Sequence, residues 1–184
     1  AINAVRLISG ESPWYPRRDE AYLGVLVDDL VTTGTKEPYR MFTSRAEWRL
    51  LLRQDNADWR LTETGHRLGV VCDERYQAFI AKRDAVNAEM KRLASTHMGP
   101  DSACQQAVSL YLGQSLDKSA AVLDLLKRPQ GDYHALLEAV GMAPVAEEVA
   151  TQVTIQARYA GYIARQTMEV ERLRQQESAV IPDD

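Results

Sequence analysis

"VAEEVATQVTIQARYAGYIARQTMEVERLRQQE", residues 145–177, runs without a breaker except Gly161, and it follows directly on Pro144. Val149, Val153, Tyr159, Ile163, Val170 and Leu173 fall on one drifting stripe, the periodicity of a helix rather than of a strand. The stretch predicts one long helix, about 45 Å at ~1.5 Å per residue. Working back from it, Tyr76, Phe79, Ile80, Val86, Met90 and Leu93 mark the stripe of a second long helix from Asp73, stopped near "HMGP" by Gly99 and Pro100. Shorter helices are expected over 102–112, 118–127 and 132–140, with Pro129 and Gly141 as punctuation.

Further toward the start, "AYLGVLVDDLVTTGT" (21–35) places Leu23, Leu26, Val27 and Leu30 at helical spacing, although its β-branched residues leave a strand open; Gly34 ends it either way. "SGESPWYPRRDE" (9–20) is an irregular linker, with Gly10, Pro13 and Pro16 in close succession, and Ile2 to Ile8 is the end of an amphipathic helix. The expected fold is therefore mainly α: a multi-helix domain with an irregular amino-terminal linker, ending in one long helix. No sequence repeat or low-complexity tract interrupts it.

Composition agrees with a folded chain. With 45% hydrophobic and 26% charged residues and a net charge of -4, the 184 residues are too apolar for disorder. At this length roughly 70% of the unfolded surface can be buried, in one large domain or two small ones. The longest apolar runs, such as Ala21 to Val27, fall far short of the ~20 residues of a membrane span. The opening "AINAVRLISG" has neither an initiating methionine nor the order of a signal peptide, so the chain reads as part of something longer, and "AVIPDD" reads as the lead into further material. Cys72 and Cys104 have no CxxC or Cys/His spacing around them, which points to a reducing cytoplasm and to packing rather than to nucleophilic or zinc chemistry.

The candidate functional stretch is "EPYRMFTSRAEWRLLLRQDNADWRLT" (37–62), which gathers five arginines beside aromatic and leucine residues in an acidic protein. Ser44-Arg45-Ala46-Glu47 has the spacing of a capping box, which predicts a helix from Ser44. Arg45, Arg49 and Arg53 would then share a sector of ~80°, with Arg40 just before the cap and Trp48, Leu51 and Leu52 as apolar anchors. Two readings are open. In one, the arginines are solvated and pair with Glu37, Glu47, Asp55 and Asp58 at ~0 to 1 kcal/mol per pair. In the other, like charges at successive i,i+4 positions await a polyanion, since guanidinium groups with aromatic partners suit phosphates and unpaired bases. Lys36 is a further candidate, equally readable as an ordinary surface charge.

Other candidates carry less. Asp28 and Asp29 point ~100° apart on a helix and cannot share one proton, so one is read as surface and one as a partner for an arginine. His66, His97 and His134 lack metal spacing. Arg158, Arg165 and Arg172 recur every seven residues on one face of the last helix, a face that either guides RNA or is simply solvated, with Glu169, Glu171 and Glu177 diluting its charge.

The words of residues 21–71, "AYLGVLVDDLVTTGTKEPYRMFTSRAEWRLLLRQDNADWRLTETGHRLGVV", strongly resemble the MnmG (GidA) family, as do "IQARYAGYIARQ" (155–166) and the opening "AINA". Between 75 and 150 the likeness lies mainly in helical pattern. Trp48 stands where the family more usually has tyrosine, and the glycine-rich nucleotide turn and the catalytic cysteine motifs of the flavin domain are absent here. The resemblance implies a cytoplasmic tRNA-modifying flavoprotein that uses FAD and NADH. With the GTPase MnmE and a folate-derived methylene unit, it adds an aminomethyl or carboxymethylaminomethyl group to carbon 5 of the wobble uridine, as a homodimer. It further implies that residues 1–20 are the tail of the flavin domain and a linker, 21–71 a joining segment, and 72–184 a helical domain truncated before the segment associated with MnmE docking. The piece by itself would be inactive and hold no cofactor. Lys36, Arg40, Arg45, Arg49 and Arg53 are then expected to face tRNA or the flavin side. The rival reading from the residues is a stand-alone helical adaptor that binds proteins and no nucleic acid.

Overall fold

A computed structural model describes residues 1–100 and 104–177, the side chain of residue 177 excepted, and its regular structure is almost wholly helical. In chain order the elements are α1 (Ile2–Ile8), α2 (Tyr22–Thr32), α3 (Ala57–Arg67), α4 (Asp73–Ser95), β1 (His97–Met98), α5 (Gln105–Leu112), β2 (Ala120–Ala121), α6 (Val122–Leu126), α7 (Tyr133–Val140) and α8 (Glu147–Glu177). The mainly helical class and the long closing helix follow the pattern expected from the sequence. Residues 102 and 103 of the expected fifth helix, and the terminal "AVIPDD", lie outside the described residues.

The ends of the helices are set by local chemistry. α4 begins with Asp73 and Glu74 and has Arg92 in its last turn, while α8 begins with Glu147 and Glu148 and closes near Arg174; both distributions complement the helix dipole. Asp132 caps α7 by accepting from the Ala135 amide at 2.8 Å, and Gly141 stops it at φ 69°, a left-handed backbone that only glycine adopts readily. α2 carries Gly24 for a different reason. A Cβ there would lie 2.1 Å from the Arg17 carbonyl oxygen, so the linker backbone passes where any side chain would stand.

The chain divides into two compact units, one formed by Ala1–Tyr76 with the part of α8 from Tyr162 onward, the other by Gln77–Gly161. In the second unit Leu93, Val108, Val122, Leu125, Leu126, Leu136, Leu137 and Val153 are almost wholly removed from water. β1 and β2 pair antiparallel, His97 opposite Ala121 and Met98 opposite Ala120. Glu89 of α4 is a buried carboxylate of this unit, held by both Nε and Nη2 of Arg92 at 2.7 and 2.8 Å and by the Tyr133 hydroxyl at 2.7 Å. Tyr133 also accepts from the Val145 amide at 3.3 Å, and Arg92 donates to the Ala143 carbonyl at 3.0 Å, so the α7–α8 connection is tied back to α4.

In the first unit Val25, Ala46 and Leu52 form a small buried cluster, with Tyr22 and Trp48 packed against it. Here one expectation is overturned. No helix starts at Ser44: residues Thr43–Arg45 make a single 3-10 turn, Ala46 is extended at φ -97° and ψ 105°, and turns follow until α3 begins at Ala57. The capping box fails because its acidic member is engaged elsewhere. Glu47 Oε1 and Oε2 each accept from Arg18, at 2.8 Å from Nε and 2.8 Å from Nη2. The turns also bring Ala46 and Leu52, six positions apart, into the same apolar cluster.

Candidate nucleic-acid interface

Without a helix, Arg45, Arg49 and Arg53 do not form the single ridge expected of them, and each has its own surroundings. Arg53 is turned inward. Its side chain is 13% exposed, its Nε and Nη2 clasp Asp55 at 2.9 and 2.8 Å, and its Nη1 donates to the Leu50 carbonyl at 2.7 Å. Arg60 is likewise internal, donating to the Asn56 side chain and the Arg53 carbonyl at 3.0 Å each and to the Glu20 carbonyl; burial lowers its pKa.

The other cations face outward. Lys36, just past the turn at Gly34, and Arg49 are exposed, and neither has an ion pair among the described residues. Arg40 is exposed and lies over the ring of Phe42 at 5.1 Å. Arg45 lies over the ring of Tyr39 at 4.7 Å, with Asp29 3.8 Å from its Nη1, and remains 46% exposed. A guanidinium so placed is oriented by a π face and a distant carboxylate yet keeps donors free for an anion.

What holds this arrangement is a residue that the motif reading passed over. Arg18 donates to Asp28 at 2.9 Å and to Asp29 at 2.5 Å in addition to its fork on Glu47. The Tyr39 hydroxyl donates to the other oxygen of Asp29 at 2.6 Å. The electrostatics follow from these contacts. The bond from Tyr39 and then that from Arg18 hold the Asp29 carboxyl below the usual range, the Arg18 fork does the same for Glu47, and the Asp29 bond raises the Tyr39 phenol. Arg18 is itself raised, first by its bond to Glu47, so it stays charged throughout. Both members of the Asp28-Asp29 pair, read from sequence as one surface residue and one arginine partner, bind the same arginine. The signal for this was present in "RRDE" and "DD", ten residues apart, but only folding shows which arginine turns inward.

By absorbing three carboxylates, Arg18 removes them as partners for Lys36, Arg40 and Arg49. Elsewhere in the chain the cations are a mixture of bound and exposed, and Arg67, Arg75 and Arg172 are exposed as well. A cleft of about 480 Å³, lined in part by Val27, Val31, Trp48 and Leu173, also carries Arg17 and Arg174, but both of these are bound to Asp19. On α8, Arg158 donates to the Gly131 carbonyl, Arg165 lies over Tyr162 at 5.1 Å, and Arg172 is exposed. His66 stacks on Tyr76 at 4.1 Å and bonds Asp73 at 2.8 Å, His134 bonds Glu147 at 2.8 Å, and His97 meets the Ser95 carbonyl at 3.1 Å. Among the described residues no group of three or more His, Cys, Asp or Glu could hold a metal ion, and Cys72 and Cys104 are free thiols.

The sequence model of the tRNA modifying enzyme MnmG/GidA C-terminal helical domain matches residues 73–167, and this chain belongs to that family. The structure of Aquifex aeolicus GidA in its form II crystal is 34% identical, with a TM-score of 0.79 over all of this chain and 28% of that one. The form I crystal gives 34% identity and a TM-score of 0.77, covering all of this chain and 27% of the other. The chain thus spans about 28% of the length of the GidA chain that it matches. No helix among the described residues is long and apolar enough to cross a membrane.

Proposed function

We propose that this chain is the part of an MnmG-type enzyme that presents a phosphate-facing surface to tRNA, with Lys36, Arg40, Arg45 and Arg49 as the contacting cations. Arg53, part of the same expectation, serves the surface through its grip on Asp55 and Leu50 rather than by reaching the anion. The observation that carries this reading is the separation of roles: Arg18 takes Asp28, Asp29 and Glu47, while Lys36, Arg40 and Arg49 are exposed with no carboxylate partner among the described residues. Exposed guanidinium and ammonium groups of this kind are suited to phosphate oxygens.

On this reading the intact protein is a cytoplasmic, homodimeric flavoenzyme that uses FAD and NADH. With the GTPase MnmE it adds an aminomethyl or carboxymethylaminomethyl group at carbon 5 of the wobble uridine. The cofactors then belong to the remainder of the longer protein. The strands described here are a two-residue antiparallel pair, which offers no parallel sheet and glycine turn to cradle a dinucleotide, and no residue is assigned to FAD or NADH.

Retention of tRNA on a filter across a salt series tests the proposal in the intact protein. Each phosphate contact adds roughly 0.7 to 0.9 to the log-log slope, so replacing Arg45 and Arg49 with alanine should flatten it by about 1.4 to 1.8. FAD content should stay normal. An unchanged slope removes both arginines from the interface, and loss of FAD assigns them to the cofactor side.

A further inference from the structure

The chain has two phenylalanines. Phe79 is 7% exposed, as a large apolar ring should be, but Phe42 is 46% exposed and its neighbour Met41 43%. Phe42 sits at φ -112° and ψ 145°, on a stretch without helix or strand that begins at Pro38. Its ring has Arg40 over it at 5.1 Å, and Tyr39 is fixed underneath Arg45 and bonded to Asp29. The backbone here is therefore held in place by Tyr39 while the next three side chains stay in solvent.

An open aromatic ring stacked with an exposed arginine, on a segment that also carries the exposed Lys36 and Arg49, matches the demands of an unpaired nucleotide. The ring offers a π face to the base and the cations meet its phosphates. A protein partner covering Phe42 would have to desolvate Arg40 and supply an acid to match it. A duplex would offer phosphates but no open base face. We infer that Phe42, backed by Arg40, is a stacking platform for an unpaired base of bound RNA. This rests on the proposed tRNA-facing role and deepens it: Lys36, Arg45 and Arg49 follow the backbone, and Phe42 selects single-stranded over paired RNA.

The test uses the intact protein, a single-stranded oligoribonucleotide carrying one 2-aminopurine, and the same sequence in a duplex. The wild type should quench the fluorescent base in the single strand and bind it more tightly than the duplex. Phe42→Ala should lower single-strand affinity on the order of 10- to 100-fold, the effect of losing one stacked base. The quenching should disappear while the salt slope and the circular dichroism spectrum stay unchanged. Phe42→Tyr, which keeps the ring and guards against a folding artefact, should retain both affinity and quenching. If Phe42→Ala binds and quenches like the wild type, or if the wild type does not distinguish the two RNAs, the platform is refuted and the cationic reading stands. If the wild type retains neither RNA at low salt, the tRNA-facing reading fails as well.

Discussion

Replacing Arg18 with methionine keeps the aliphatic stem and deletes the charge that three carboxylates share. Arg18 and Asp29 are 29% and 19% exposed, so their hydrogen bond is partly shielded and stabilises by about 1.5 to 3 kcal/mol. Glu47 and Asp28, at 40% and 45% exposure, are well solvated, and their pairs add only ~0 to 1 kcal/mol each. The expected loss is therefore about 1.5 to 5 kcal/mol at pH 7, read from the urea midpoint of wild type and variant at equal m. The loss should depend on pH with a defined sign. Asp29 and Glu47 have folded-state pKa values below their unfolded ones, so their contribution is complete above about pH 5 and fades as pH falls through the folded values. Wild type and variant should accordingly converge between pH 7 and pH 3. A difference of the same size at both ends, or no loss at pH 7, would refute the assignment of Arg18 as the centre of this cluster.

Tyr133→Phe removes the hydroxyl that a buried carboxylate uses, and should cost about 1.5 to 3 kcal/mol, seen as a fall in melting temperature; an unchanged melt would mean that Glu89 is satisfied by Arg92 alone. Arg53→Ala should destabilise the protein through loss of its Asp55 and Leu50 contacts while leaving the tRNA salt slope as it is, the reverse of Arg49→Ala. Gly24→Ala should destabilise by at least the ~1 to 3 kcal/mol typical of overpacking, because the Arg17 backbone already fills that space; a variant as stable as the wild type would show that the linker yields freely.

The long helices were legible because their signals are local. α8 has an uninterrupted periodic run, α4 an acidic start, and α7 an aspartate cap and a terminal glycine, whereas the Gly-Pro pair expected to stop α4 lies beyond β1, four residues past the helix end at Ser95. The segment around Ser44 departs from its expected helix for the opposite reason. A capping box needs the glutamate to reach back within its own turn, and Glu47 is drawn instead to Arg18, 29 residues earlier in the chain. The same competition separates the arginines. Periodicity places Arg53 with Arg45 and Arg49, but Asp55, two residues on, turns it inward. Sequence identified the cation-rich stretch and its aromatic company; which cation is spoken for depends on contacts that only the folded chain brings together.

The buried acid at Glu89 has a consequence beyond the bonds that it makes. A carboxylate enclosed by apolar neighbours is tolerable in one alignment, where the Arg92 fork and the Tyr133 hydroxyl both reach it. Sliding α7 by one turn would present a greasy surface of similar quality but strand that negative charge away from the phenol. Leucine and valine will accept many neighbours, so hydrophobicity drives these helices together without dictating their alignment. The lone acid thus favours one register, because a slid α7 forfeits the Tyr133 bond while only Arg92, on α4 itself, stays with Glu89.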